Sequence, residues 1–215
     1  HKAPNTRWYS GAGIYRNVWL RKTSRNHIAQ DGIYINARPN DSDRREHGKW
    51  KVTIQTELSV PTCGILSFDI TDPFGRETYS CERRICGKSD KLIFYIDGPK
   101  LWDTITPNLY SLKAVLCAED GTQYDCVQTK FGFRTTKFDP KEGFLLNGIR
   151  LKLNGVCMHH DLGALGAAVN YDATYRQLAK MKEMGVNAIR TSHNPPSREL
   201  MDICDEMGLV VDSEI

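Results

Sequence analysis

No stretch of the 215 residues approaches the ~20 consecutive apolar residues that carry a helix across a bilayer. Nor is there an excess of one charge. Lys and Arg number 29 against 26 Asp and Glu, and the resulting +3 is spread along the chain. A nucleic-acid or anionic-membrane partner would need a basic stripe, so neither is expected. The seven cysteines contain no C-x2-C pair and are odd in number, which argues against a zinc ribbon and against a disulfide framework. Free buried thiols are the expectation, and the one bridge considered is Cys117 with Cys126, which flank a hairpin turn. No G-x-S-x-G elbow surrounds Ser192, so it is not read as a nucleophile. The chain opens on His1 without an initiator Met or a signal segment, so localisation is not read from it, bacterial cytoplasm or periplasm being the working assignment. What is present is ordinary: 40% apolar and 26% charged residues fit a globular chain and exclude a disordered or collagen-like one. At ~150 residues per domain the length amounts to about one and a half domains, as if the chain were cut inside one at Ile215.

Periodicity changes near residue 140. Upstream, Val52, Ile54, Thr56 and Leu58 share one strand face. So do Leu66, Phe68 and Ile70, then Leu92, Phe94 and Ile96, then Tyr110, Leu112, Ala114 and Leu116. Turn chemistry separates them at Asp72-Pro73-Phe74-Gly75, Asp97-Gly98-Pro99 and Asp120-Gly121. About seven strands in this stretch predict an antiparallel sandwich of immunoglobulin-like size. Downstream, Asn147-Gly148 between apolar segments is a type I′ hairpin signal, and residues 151–158 read as the strand that follows. Asp172 or Thr174 can cap a helix with the stripe Tyr175, Leu178, Met181 and Met184, stopped by Gly185. A strand over 188–191, a helix capped by Ser197 and stopped by Gly208, and a strand from Leu209 complete a strand-helix-strand-helix-strand order. That order demands a parallel sheet covered by helices, either doubly wound or the opening of an eight-fold barrel.

Ligands of parallel α/β sheets gather at the carboxyl ends of the strands. His159, His160 and Asp161 follow the first strand, Arg190, Ser192, His193 and Asn194 finish the second, and Asp212 and Glu214 finish the third. Together they suit an anionic or polyhydroxylated ligand. Pro195-Pro196 invite a cis peptide in the turn that follows. Adjacent histidines on extended backbone point to opposite sides, so one of His159 and His160 faces the pocket, too few ligands for a closed metal site. Cleaving a glycosidic bond requires two carboxylates flanking it. Asp212 and Glu214 share one strand face ~7 Å apart, which suits binding better than that pair of roles.

Five blocks resemble the family 2 glycoside hydrolases, which comprise β-galactosidases, β-glucuronidases and β-mannosidases. They are W-Y-S-G-A-G-I-Y-R-N-V-W-L (8–20), P-K-L-W-D-T-I-T-P-N-L-Y (99–110), F-G-F-R (131–134), F-L-L-N-G-I-R-L-K-L-N-G-V-C-M-H-H-D (144–161) and N-A-I-R-T-S-H-N-P (187–195). The resemblance implies a multidomain fold. Residues 1–25 would be the last strands of a jelly-roll sugar-binding domain, 26–137 an immunoglobulin-like β-sandwich, and 138–215 the opening (β/α)2β portion of a TIM (β/α)8 barrel. It also implies a retaining mechanism with a Glu acid/base and a Glu nucleophile on later barrel strands. Both are expected beyond Ile215, so no catalytic residue is expected within the chain and the chain alone is expected to be inactive.

Matched residue by residue, His159 is similar to the family's His after the first strand, and Arg190 and His193 to its R-x-S-H block. In the family these line the subsite for the non-reducing sugar, with the Arg beside the nucleophile. Asn194 joins this substrate-binding set. Asp161, Asp212 and Glu214 are weaker candidates, because many members read G-V-N-R-H-E where this chain reads G-V-C-M-H-H, and D-E where it reads Asp212-Ser213-Glu214. The block H-H-D-L-G-A-L-G-A-A (159–168) is most similar to the β-galactosidase branch. The implied parent is therefore an exo-glycosidase acting on terminal β-galactosides and a homo-oligomer. β-Glucuronidase, β-mannosidase and a non-catalytic carbohydrate-binding module are the alternatives, together with a metal-dependent hydrolase built on His159, Asp161 and His193. No cofactor is assigned; Mg2+ or Na+ dependence, known in relatives, maps to no residue here.

Overall fold

The structure, a computed structural model, describes residues 13–40 and 48–214. The part of the first motif block up to Ala12 lies outside the described residues, and residues 13–27 carry no strand. Ile215, beyond which the sequence reading puts the catalytic Glu pair, also lies outside the described residues. Five antiparallel strands follow residue 27: β1 (Ile28–Pro39), β2 (Lys49–Thr71), β3 (Glu77–Asp97), β4 (Tyr110–Cys117) and β5 (Gln123–Phe131). β2 and β3 are long because each serves twice. The first half of β2 pairs with β1 and its second half with β4, while β3 runs along its other edge throughout. A register shift between Glu57 and Thr62 separates the halves, and such bulges bend and twist a sheet. The sheet fits a sandwich, with five strands where about seven were expected, because β2 and β3 each serve twice.

All four predicted faces are buried, in one core running from Ile28 through Phe68 and Leu112 to Phe133. The turns behave as their residues require: Gly75, Gly98 and Gly121 take positive φ, which costs glycine nothing. The thiols depart from expectation. Cys63 and Cys86 face each other across β2 and β3 and form a disulfide, while Cys117 and Cys126 are free.

A short sheet of β6 (Thr136–Asp139), β7 (Gly143–Leu146) and β8 (Ile149–Arg150) leads out of the sandwich. Asn147 and Gly148 sit at φ 53° and 78°, the type I′ geometry read from the sequence. Then come β9 (Gly155–Met158), α1 (Tyr171–Glu183), β10 (Ala188–Thr191), α2 (Arg198–Met207) and β11 (Val210–Ser213), with β9, β10 and β11 parallel and adjacent in that order. β9 starts later than predicted, at Gly155. Helix α1 starts earlier, capped by Asn170, whose Oδ1 accepts from Ala173 N at 2.9 Å. Ser197 caps α2 as expected, accepting from Leu200 N.

One strand face and the helices bury Val156, Met158, Ile189, Leu178, Leu200 and Ile203 together. Full burial of a Leu or Ile stabilises by roughly 1.5–3 kcal/mol each, which fixes the sheet against the helices and leaves its other face for polar groups. Met184, expected on the buried stripe, is exposed.

The loop between β3 and β4 joins the two parts. Trp102 Nε1 donates to Asp205 O at 2.7 Å, and Lys182 Nζ donates to Thr104 O and Gly208 O at 2.6 and 3.0 Å. Gly208 closes α2 at φ 70°, and a Cβ there would meet Asp103 O at 2.9 Å and Thr104 O at 3.0 Å. Backbone oxygens cannot step aside as a side chain can. Gly208→Ala is therefore expected to cost roughly 1–3 kcal/mol, read as a lower urea midpoint at unchanged slope; an unchanged midpoint would show that the loop yields freely.

Candidate active site

The parallel register sets the site. Arg190 on β10 lies between Cys157 on β9 and Asp212 on β11. Because side chains alternate along a strand, these three share the face turned away from the helices, where Val156, Ile189 and Val211 do not reach. At the strand ends the polar groups converge. The Arg190 guanidinium forms an ion pair with Glu214, and its Nη1 donates to Cys157 Sγ at 3.6 Å. His193 Nδ1 lies 2.9 Å from the other Glu214 oxygen. Glu214 is itself anchored by its N–H, which donates to Thr191 Oγ1 at 3.0 Å. The His159 ring is 5.6 Å from that of His193, which completes a continuous run of His159, His193, Glu214, Arg190 and Cys157.

Electrostatics follow from this geometry. The hydrogen bond to Cys157 and the charge of Glu214 hold Arg190 protonated even more firmly than usual. In return the Ser192 hydroxyl, and then Arg190, bring the Cys157 thiol below its ordinary value. A guanidinium fixed between a thiol and a carboxylate keeps further N–H groups for an acidic or hydroxylated ligand, since Arg has five donors in a planar fork.

The other sequence candidates divide. Asp212 sits in the row beside Arg190 and favours its charge, but Glu214, past the end of β11, is the carboxylate that touches it. Asp161 turns back, its N–H donating to His159 O at 2.9 Å, and it lines a cavity of about 40 Å³ with His159, His160, Ser192 and Asn194. His160 points toward Tyr15, with ring centroids 5.8 Å apart, so the two histidines do diverge. Burial, then Arg16 and His159, keep His160 below its usual pKa. The cis peptide falls at Ser192-His193, before neither proline. Among the described residues, no three or more His, Cys, Asp or Glu side chains are grouped to hold a metal ion.

Sequence reasoning missed two contributors, Cys157 and the residue 15–17 segment. The first had a signal, since Cys157 stands on β9 two residues before His159, which follows that strand. The second did not.

Comparison with known proteins places both halves of the chain. Residues 26–134 match the model of glycosyl hydrolases family 2, and residues 140–215 that of the family 2 TIM barrel domain. The Beta-galactosidase BoGH2A of Bacteroides ovatus is 42% identical over 218 residues, covering 98% of this chain and 25% of that protein. A putative beta-glucuronidase of Formosa agariphila is 34% identical over 214 residues, covering 99% and 20%. The crystal structure of a family 2 member from Bacteroides cellulosilyticus superposes with a TM-score of 0.88 at 32% identity, over 99% of this chain and 30% of that one. The chain thus spans between a fifth and a quarter of the length of these two curated relatives.

Proposed function

The chain belongs to glycosyl hydrolase family 2, and from that premise we propose that it is part of a retaining exo-glycosidase that hydrolyses terminal β-galactosides. The observation that carries the proposal is the run of His159, His193, Glu214 and Arg190 at adjacent strand ends. Imidazoles there hydrogen-bond sugar hydroxyls. Arg190 aims a neighbouring carboxylate, and such fixed charges act most strongly as charge develops at the anomeric carbon. Asn194 borders the same turn and completes the substrate-binding set. Asp212 adds negative charge to the same row, and Asp161 supports the backbone of His159.

The cutting pair, a Glu acid/base and a Glu nucleophile, is proposed to lie beyond Ile215. Among the described residues, the carboxylates of this face, Asp212 and Glu214, stand on one strand end, whereas retaining carboxylates flank the bond ~5 Å apart. In domain terms we assign 1–25 to the end of a jelly roll, 26–137 to an immunoglobulin-like sandwich and 138–215 to the opening of the barrel. The sandwich is the connector, and the whole protein is proposed to be a homo-oligomer.

The galactoside is favoured by the 42% identity to a β-galactosidase and by residues 159–168. The glucuronidase name of the other relative keeps β-glucuronides as the second reading. The two separate in one assay: the full natural polypeptide is given nitrophenyl β-D-galactoside, β-D-glucuronide and β-D-mannoside. Galactoside turnover at least tenfold above the others is expected. Preference for the glucuronide would replace the substrate, and measurable turnover by the 215 residues alone would overturn the placement of the cutting pair beyond Ile215.

A further inference from the structure

Residues 15–17 reach across the chain to the site and contact three separate parts of it. The Tyr15 carbonyl accepts from Val169 N at 2.8 Å, and the Tyr15 ring lies against His160, the neighbour of His159. Arg16 Nη2 donates to Pro195 O at 2.5 Å. Asn17 Nδ2 donates to Glu199 Oε1, in the first turn of α2, at 3.1 Å. The chain separations for the last two are 179 and 182 residues. The turn 192–197 hangs between the end of β10 and the Ser197 cap, and it carries His193 and Asn194. Its two ends are fastened to the α/β part, where Met158 O at the end of β9 accepts from Ser192 N and Ser197 Oγ from Leu200 N. Arg16 takes hold of the backbone between them.

We propose that Arg16 is a positioning residue, which fixes the turn 192–197 through the Pro195 carbonyl and so sets His193 and Asn194 against the sugar. The inference rests on the glycosidase reading above. A guanidinium is suited to the task because it stays charged and planar, and the Tyr15 ring 5.2 Å from its Cζ restrains it further. Neutral His160 beside Tyr15 adds no opposing charge at pH 7. The amino-terminal segment is thereby part of the active-site scaffold. Catalytic groups misplaced by about an ångström lose rate steeply, so a missing tie far from the chemistry still registers.

The test uses the full natural polypeptide. Arg16→Ala is expected to lower kcat/KM on the preferred nitrophenyl glycoside about tenfold, mostly in kcat. Arg16→Lys, whose ammonium can still donate to one carbonyl, is expected to recover to within about threefold. Hydrogen exchange of the Ser192, His193, Asn194 and Ser197 amides should rise in R16A while those of β4 stay protected. Unchanged kcat/KM per folded molecule, even with a lowered Tm, overturns the proposal, and so does unchanged exchange in the turn. If R16A does not fold, Arg16→Gln replaces it with the same two readouts. Should the unsubstituted polypeptide cleave no glycoside, the glycosidase reading fails, and hydrogen exchange still decides whether Arg16 fixes the turn.

Discussion

Arg190→Ala should reduce kcat/KM of the full natural polypeptide by about 10²–10³, the loss typical when one preorganised donor at a developing charge is removed. The side chain is the junction of the site. It pairs with Glu214, which also holds His193, and it donates to Cys157. Removing it leaves Glu214 to be held by His193 and its own N–H alone, so the imidazole and the carboxylate both lose their fixed direction. Arg190→Lys should recover little, because one ammonium cannot reproduce a planar fork that reaches two partners at once. Stability should barely change. The Arg190 side chain is 46% exposed and that of Glu214 26%, and ion pairs with this much solvent contribute little to folding. The decisive result is thus a large fall in kcat/KM with Tm held within roughly 2 °C. Activity within fivefold of the unsubstituted enzyme would remove Arg190 from the site. A parallel collapse of Tm would make its role structural.

Wherever one residue's own conformational needs decide the structure, the sequence was sufficient. Asn147-Gly148, Ser197 and Gly208 each specify a local geometry, and each is found where it was read. Alternation likewise marked the buried faces of β2, β4 and the second half of β3, because a strand with one wet side repeats every two residues, while the faces of β1 and β5 were not read from it. Errors arise where two local signals compete. Asp172 and Thr174 resemble caps, but Asn170 precedes both. Asp172 then occupies the first turn, where its charge suits the helix dipole, and the Thr174 hydroxyl donates back to Asn170 O. Leu151 and Leu153 extend the apolar alternation of β9 backward, yet Leu151 packs against Trp102, Phe144 and Leu146, and Leu153 is 41% exposed.

What depends on distant registration was invisible. Cys117 and Cys126 flank a hairpin but face Gln123 and Val115 across it, whereas Cys63 and Cys86 come opposite only after the shift in β2 and β3. For the site, the strand-end rule selected Arg190, His193 and Glu214 correctly as neighbours. It ranked Asp212 beside Glu214, because only the backbone past Ser213 reveals that Glu214 turns toward Thr191 and His193. The tie from Arg16 has no local signature at all; it exists only once the two ends of the chain have packed.

Trp102→Ala should cost about 3–5 kcal/mol, the range for deleting a buried Trp or Phe side chain. Trp102 is 1% exposed, lies outside the sandwich core, and forms a small core of its own with Phe144 and Leu146, against which Leu109, Leu151 and Val210 pack. Its contacts come from both sides. Gly132 approaches its Cβ and Arg134 covers the ring at 4.6 Å from the sandwich end, while Asp205 O and Val210 belong to the α/β part. Burial raises the Asp205 carboxyl and Arg134 offsets this in part, so the cation above the indole also serves the helix end below it. The sandwich core and the α/β core contain no member of this cluster among their buried residues. Losing the indole should therefore weaken the junction more than either core. Urea denaturation is expected to change from one transition to two, with α2 amides exchanging before those of β2 and β4. Trp102→Phe separates the two contributions: it keeps most of the packing but leaves the Asp205 carbonyl without its donor, a loss of about 1–3 kcal/mol for a buried unsatisfied group. A single transition in W102A, shifted by less than about 1 kcal/mol, would mean that the Lys182 ties to Thr104 and Gly208 hold the two parts together without the tryptophan.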